Sequence, residues 1–273
     1  MTRGGYDIQK LRIEMGNRLV ANFRVKLGID PGTKADDTID VLKVIERRYE
    51  NITEGVIEIS RRRRFEYDGV ISDYADLSLV SHYVALVKAE KRIFRDLGYT
   101  VQDFPIWSEY LEGVRGCGPA MASIIISEID ISKCRYPSSL WRYAGLDVAD
   151  DGRGRSRRKE HLIDAEYTTR DGETATRKSI TFNPLLKTKL TGVLGPSFLK
   201  AGGTYADIYY GYKNRLENHP DHVEKSKGHR HNMAIRYTVK LFLQALHTEW
   251  RRIEGYDPTV PYAEAKLGIT HGA

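Results

Sequence analysis

The chain has 273 residues, of which 41% are hydrophobic and 29% are charged, and its net charge is +6. This length and composition are typical of a soluble globular protein with one large or two modest domains. The two cysteines, Cys117 and Cys134, exclude a disulfide framework, and the first residues contain no secretory signal. No apolar run approaches the ~18 residues of a membrane span. We therefore expect no membrane partner and a cytoplasmic location, nucleoid-associated in a prokaryotic or phage context.

Positive charge is clustered along the chain. Basic residues are concentrated at positions 61–64, 153–159, 187–189 and 225–230. Clustered Lys and Arg favour polyanions, because binding releases the counterions condensed around phosphates. Each cluster is equally compatible with a solvated face, so charge alone leaves both interpretations open.

The first hundred residues predict three helices. Apolar side chains recur at helical spacing over residues 6–27, 36–59 and 72–98, and glycines end the first and third segments. These segments predict an all-α, coiled-coil-like region over residues 1–100.

Residues 101–273 predict a second, differently built domain. Short helices separated by glycines come first, and residues 147–182 then predict a small irregular or β insertion. Helices resume at Asn183-Pro184, over 205–216 and over about 232–253, and prolines predict an irregular end. The expected fold class is mainly α.

A Gly-apolar-Gly turn followed by Pro119 is typical of a helix-hairpin-helix. Two glycines let bare backbone approach a phosphate, and the start of the next helix offers N–H groups to an anion. Such a hairpin grips the DNA backbone and reads no base edges. The alternative is an ordinary helix-turn-helix corner. The predicted backbone contacts are Arg115, Gly116, Cys117, Gly118 and Ala120.

Further segments follow this turn in a familiar order. They are GVRGCGPAMA from residue 113, ISEID from residue 126 and YPSSLWRYAGL from residue 136, with Tyr209-Tyr210 and AIRYTVKLF from residue 234 later. Over about residues 106–262 the succession resembles the C-terminal half of the IS-one-ten-type insertion-sequence transposases. The resemblance implies DNA as a partner, self-association into a homo-oligomer, and a structured or guide RNA as a further partner.

That family also has a RuvC-like nuclease half, built on four acidic residues and a metal pair. The LGIDPG motif from residue 27 echoes the first strand of such a fold, but residues 36–60 predict helix instead of further strands. We therefore interpret the motif as a turn between helices. We expect no metal site and no cofactor in this chain, with Mg²⁺ only if a separate nuclease partner exists.

In the same family, a serine in the loop after the AGL motif attacks the DNA phosphate. Here the usual Ser-Gly position is Asp151-Gly152, and the one serine between residues 147 and 178 is Ser156. The resemblance implies Ser156 as the catalytic residue, and neighbouring guanidinium groups would neutralise phosphoryl charge. The alternative is a loop that only binds phosphate. The predicted nucleic-acid contacts here and on the last long helix are Arg153, Arg155, Arg157, Arg158, Lys159, Arg236 and Lys240.

Two lesser features stay open. Asp150 and Asp151 would bind a metal or orient Ser156, although a loop turn is the simpler account. Four histidines between residues 219 and 231 have spacing that could hold a metal, but a polar loop facing nucleic acid is favoured.

Two hypotheses of function follow. The first is a nucleic-acid-binding protein, related to transposases, that grips the backbone through the helix-hairpin-helix. The alternative is a minimal serine-type recombinase that uses Ser156, alone or with a nuclease subunit in trans. A purely structural role is disfavoured by the basic loops, and whether the chain is an enzyme stays open.

Overall fold

The computed structural model describes residues 1–29, 37–54 and 67–268, and it divides into two compact units, Met1–Leu97 and Gly98–Ala273. The prediction of a mainly α fold is confirmed, since one two-stranded sheet accompanies the helices of the described ranges. The basic run at 61–64 and residues 30–32 of the LGIDPG motif lie outside the described residues. The helices are α1 Thr2–Arg24, α2 Asp37–Thr53, α3 Tyr74–Thr100, α4 Pro105–Glu109, α5 Pro119–Glu128, α6 Pro137–Tyr143, α7 Pro184–Lys189, α8 Gly195–Ala201, α9 Thr204–Asn218, α10 Pro220–Val223, α11 Lys227–Ile253 and α12 Tyr262–Leu267.

The first unit is built from α1, α2 and most of α3. Leu19 and Phe23 of α1 are fully buried in a core to which all three helices contribute. The helices approach closely at Gly16, where an added Cβ would lie 3.2 Å from the Tyr83 ring and 3.4 Å from the Leu42 side chain. The absence of a side chain at Gly16 therefore sets the packing of this unit.

The second unit is organised around α11. This helix contacts α4, α6, α8 and α9 and buries an apolar stripe along its length. Phe242 of that stripe meets Phe198 edge to face at 5.4 Å between ring centroids, and it meets Tyr205 at 5.6 Å. Such aromatic contacts bury large apolar areas in defined geometry and so fix how the helices pack on α11.

Helix boundaries in the second unit differ from the sequence prediction in three places. α11 begins at Lys227 because the Ser226 hydroxyl accepts the His229 N–H over 3.2 Å and caps it. The helix capped by Asn183 continues past Leu194 through a π-helical turn into α8. The expectation of an irregular end was wrong over Tyr262–Leu267, since a proline suits the residues at a helix start.

The β insertion is a single hairpin. Strand β1 (Ile163–Thr168) pairs antiparallel with β2 (Thr174–Ser179) in a register that places Ile163 opposite Ser179. Most of its side chains are exposed, so the hairpin extends from the helical body and contributes little core. Within the described ranges, no helix has both the length and the apolar content needed to cross a bilayer.

Candidate nucleic-acid interface

The backbone after α6 turns back on itself. Gly145 ends α6 with φ of 64° and Gly152 has φ of 74°, a left-handed conformation that glycine adopts at no steric cost. Val148 and Gly154, on either side of Gly152, form an antiparallel β-bridge. The loop therefore has a defined path, and the arginines that follow Gly152 project from an ordered backbone.

Arg236 of α11 donates hydrogen bonds to the main chain of this loop. Its Nη2 atom donates to the carbonyl oxygens of Gly145 and Asp147 over 3.3 and 3.4 Å. Gly154 allows the approach, because an added Cβ there would lie 2.9 Å from the same nitrogen. Burial lowers the pKa of the Arg236 guanidinium, so its charge is held in a partly desolvated place.

Lys240 lies one helical turn after Arg236. Its Nζ atom is 4.4 Å from the centroid of a Trp141 ring, a cation–π contact, and Trp141 Nε1 donates to the Lys240 carbonyl over 2.9 Å. Burial, followed by the charge of Arg236, lowers the pKa of the Lys240 ammonium. Two neighbouring cations thus share a desolvated region, which raises the free energy of both charged forms.

Little negative charge offsets these cations. Asp147 is the nearest carboxylate, and its Oδ2 atom accepts from Arg155 Nε over 2.7 Å. Within the part of the chain that the structure describes, neither Arg236 nor Lys240 has a carboxylate at ion-pair distance. The region carries excess positive charge, which a bound anion would neutralise.

A cavity of about 730 Å³ opens above α11 and beside the loop. It brings together five residues that the sequence singled out, and no described carboxylate lines it. Tyr212 and Tyr237 form part of its wall with stacked rings, 4.0 Å between centroids. The five predicted residues that line it are Arg153, Ser156, Arg158, Arg236 and Lys240.

Other predicted contacts lie away from this cavity. Arg157 and Lys159 are exposed but do not line it, and Arg155 is paired with Asp147. Lys225, the first residue of the basic cluster at 225–230, also lines the cavity, although it was not among the predicted contacts. Its position depends on how α10 returns toward α11, which residue spacing does not reveal.

Ser156 sits in a chain of three hydrogen-bonded side chains. Its Oγ atom is 3.0 Å from His161 Nδ1, and His161 Nε2 is 3.1 Å from Asp151 Oδ2. His161 is buried, whereas Ser156 is half-buried and lines the cavity. The sequence analysis missed His161. The equal spacing of Asp151, Ser156 and His161 was the one available signal, and it gains meaning only from the folded loop.

The four histidines between residues 219 and 231 are not grouped as a metal site among the described residues. His222 and His229 line the cavity, whereas His231 Nδ1 lies 2.5 Å from the Tyr209 hydroxyl. Across the described ranges, no three His, Cys, Asp or Glu side chains are grouped to hold a metal ion.

The Gly116 turn is packed against α8. Gly116 has φ of 92°, and an added Cβ would lie 3.0 Å from the Ser197 carbonyl oxygen and 3.1 Å from the Phe198 nitrogen. Ser197 Oγ also donates to the Gly116 carbonyl over 2.8 Å. This glycine is thus explained by internal packing, whereas Gly118 is exposed, with no atom within 4 Å of an added Cβ.

The helical segments before and after the Gly116 turn differ in length. Before it come the five residues of α4 and a 3-10 turn over Leu111–Gly113, and after it comes α5. Cys117 is buried, and desolvation raises the pKa of its thiol to about 12, which disfavours the nucleophilic thiolate at neutral pH. The helix-hairpin-helix interpretation stays a prediction, with Arg115, Gly118 and Ala120 as its accessible part.

Lys187 beside the loop makes the stability of the second unit depend on pH. Its Nζ atom donates to the Arg155 carbonyl over 2.5 Å, and burial, aided by the charge of Arg236, lowers its pKa from 10.5 to about 8. Between these two values the unfolded chain holds a proton that the folded chain has released. Because the unfolded state binds more protons there, this residue makes stability rise with pH across that window.

We expect Lys187→Met to reduce that rise and to stabilise the protein near neutral pH. All three tryptophans lie in the second unit, so urea unfolding followed by tryptophan fluorescence reports on that unit. The measurement compares unfolding free energies of both proteins at about pH 7 and about pH 9.5. Equal pH slopes in the two proteins would contradict the prediction.

No protein-family model, no curated protein and no solved structure matches this chain. The likeness to the transposases therefore rests on the motifs alone, and it stays a prediction.

Proposed function

We propose that this chain binds the sugar-phosphate backbone of nucleic acid in the cavity between the loop after α6 and α11. The observation that carries the proposal is the charge of the cavity wall. Five cations line the cavity, and no carboxylate of the described residues does. The cations are Arg153, Arg158, Lys225, Arg236 and Lys240. Phosphates would supply the missing negative charge, and the released counterions would drive association.

Two further features support nucleic acid over a small anion. The cavity is open to solvent and much larger than one phosphate, and the exposed cations Arg157 and Lys159 continue the basic loop outside its lining. The stacked pair of Tyr212 and Tyr237 in its wall presents aromatic surface, against which a base or sugar packs favourably.

Salt dependence tests the proposal. Affinity for a labelled DNA duplex is measured by fluorescence anisotropy at several salt concentrations. We expect Arg153→Gln with Arg158→Gln to weaken binding and to reduce the slope of log K against log salt by about 1.8, since each phosphate contact contributes about 0.9.

The control is Lys133→Gln, because Lys133 is 83% exposed and does not line the cavity. It should leave the slope unchanged. An equal slope in the double variant and the wild type would contradict the proposal.

The kind of nucleic acid is a separate question, because DNA and RNA both present phosphates. We propose DNA as the substrate class, with a structured RNA and a second copy of the chain as further partners. Sequencing the nucleic acid that co-purifies with the protein from its host tests this. RNA with defined loops would support the transposase-like proposal, whereas the absence of nucleic acid would favour a structural role.

A second candidate is serine-type strand transfer by Ser156. The observation that favours it is the 3.0 Å contact between the hydroxyl of Ser156, which lines the same cavity, and the buried His161. With a cleavable DNA substrate, we expect a covalent DNA–protein adduct that Ser156→Ala abolishes. An adduct that persists in that variant would identify another nucleophile.

A further inference from the structure

The hydrogen bonds around Ser156 define which atoms of His161 carry protons. The Ser156 main-chain N–H donates to His161 Nδ1 over 3.0 Å. An N–H group only donates, so Nδ1 is an unprotonated acceptor and the imidazole proton of the neutral ring lies on Nε2. From there it points at Asp151 Oδ2, 3.1 Å away.

The Ser156 hydroxyl is oriented by the same network. The Arg158 main-chain N–H donates to Ser156 Oγ over 3.3 Å, and Oγ in turn lies 3.0 Å from His161 Nδ1, the nitrogen that also accepts the Ser156 main-chain N–H. A hydroxyl that accepts from one side and donates to a neutral imidazole on the other is arranged to lose its proton to that ring.

Asp151 completes the arrangement. Its Oδ1 atom accepts the Arg153 N–H over 2.9 Å, which leaves Oδ2 for the histidine. This main-chain bond is the first cause of a lowered Asp151 pKa, with the His161 contact as a further cause. An ionised carboxylate at this point fixes the ring tautomer and stabilises the imidazolium that forms when Nδ1 takes a proton.

We propose that His161 is the general base that takes the proton of the Ser156 hydroxyl as this hydroxyl attacks a phosphorus atom, with Asp151 as the residue that positions it. The inference rests on the proposed function, because the cavity cations would hold the phosphodiester beside Ser156. In the step, an Oγ–P bond forms and the bond from phosphorus to one sugar oxygen breaks. The serine proton moves to His161 Nδ1, and the imidazolium returns it through a water molecule to the leaving sugar oxygen.

The charges of the cavity fit this step. The phosphorane-like transition state carries more negative charge than the diester on its equatorial oxygens, and preorganised cations stabilise such charge. Arg153, Arg158 and Lys240 line the cavity that Ser156 also lines. A basic loop that only binds phosphate has no need of a buried imidazole with its acceptor nitrogen turned toward a hydroxyl.

A fluorophosphonate probe tests the proposal without a known DNA target. The serine oxygen attacks phosphorus, fluoride leaves, and the proton again goes to the base, so the labelling rate reports on activation of the hydroxyl. With the full chain, we expect label on Ser156 by peptide mass spectrometry and none there in Ser156→Ala. The control is Ser139→Ala, a substitution in the wall of a neighbouring cavity. In this variant the probe should label Ser156 at the wild-type rate.

His161→Gln keeps a hydrogen-bonding side chain of similar size that cannot take the proton. We expect Ser156 in His161→Gln to be labelled at least about a hundredfold more slowly than in the wild type. Labelling should also be slower in Asp151→Asn, and the rate should recover in Asp151→Glu. A merely structural histidine would affect any nucleophile at position 156. A thiol ionises more readily than a hydroxyl, so in the Ser156→Cys background the same His161→Gln change should cost less than about tenfold.

Several outcomes overturn the proposal: label on another residue, no label on folded protein, an unchanged rate in His161→Gln, or an equal loss in the serine and cysteine backgrounds. DNA binding by the wild-type protein is measured in parallel. Binding without labelling removes this inference and leaves the proposed function standing. Labelling of Ser156 without DNA binding overturns the proposed function and, with it, the phosphodiester as the substrate, and it leaves only the activation of the Ser156 hydroxyl by His161.

Discussion

Lys240→Met should weaken binding of a DNA duplex roughly tenfold at about 0.1 M salt, and it should lower the slope of log K against log salt by about 0.9. The loss follows from removing one cation that lines the cavity. The free energy of unfolding of the second unit should not fall in Lys240→Met, although the affinity for DNA does. The charged ammonium is partly desolvated and lies near Arg236, and a methionine can keep a favourable contact with Trp141.

Arg236→Met is the matched comparison, because it removes a second cation from the same cavity. It should weaken DNA binding to a similar extent, but it should also destabilise the second unit by about 1–3 kcal/mol, since the carbonyl of the buried Gly145 and that of the half-buried Asp147 each lose a donor. Anisotropy and urea unfolding by tryptophan fluorescence separate these effects. The interpretation of Lys240 fails if its methionine variant binds DNA as tightly as the wild type.

This pair also shows how far sequence reasoning reaches. Arg236 and Lys240 are four residues apart on one helix, so their shared face follows from helix geometry alone. This face of α11 lies beside the loop after α6. That placement depends on long-range contacts, such as the hydrogen bond from Trp141 Nε1 to the Lys240 carbonyl. Spacing predicted a pair of cations, but it did not predict their burial or the cavity.

The Ser156 site illustrates the complementary limit. The basic loop and its serine were visible in the sequence, because composition and motif order carry that information. His161 was not, because its contact with Ser156 requires the turn at Gly152 and the 3-10 turn Lys159–His161 to bring the ring back toward the hydroxyl. Such local folding of an irregular loop leaves no periodic signal in the sequence.

The two glycines of the hairpin turn should respond in opposite ways to substitution. Gly116→Ala should destabilise the second unit by about 2–4 kcal/mol, because its left-handed φ disfavours a side chain and the backbone of α8 leaves no room. Gly118→Ala should change stability by less than about 0.5 kcal/mol, since its φ of −80° is ordinary and its surroundings are open. Urea unfolding measures both.

Gly118 is therefore the position at which the predicted grip on a phosphate can be tested without damage to the fold. Gly118→Leu should weaken DNA binding, because a side chain at the start of α5 would keep a phosphate away from its first N–H groups. Gly113→Leu is the control, because Gly113 is exposed in the same segment and also has open space around it. If both leucine variants fold and bind DNA as tightly as the wild type, the turn serves only to pack against α8, and the cavity accounts for binding without it.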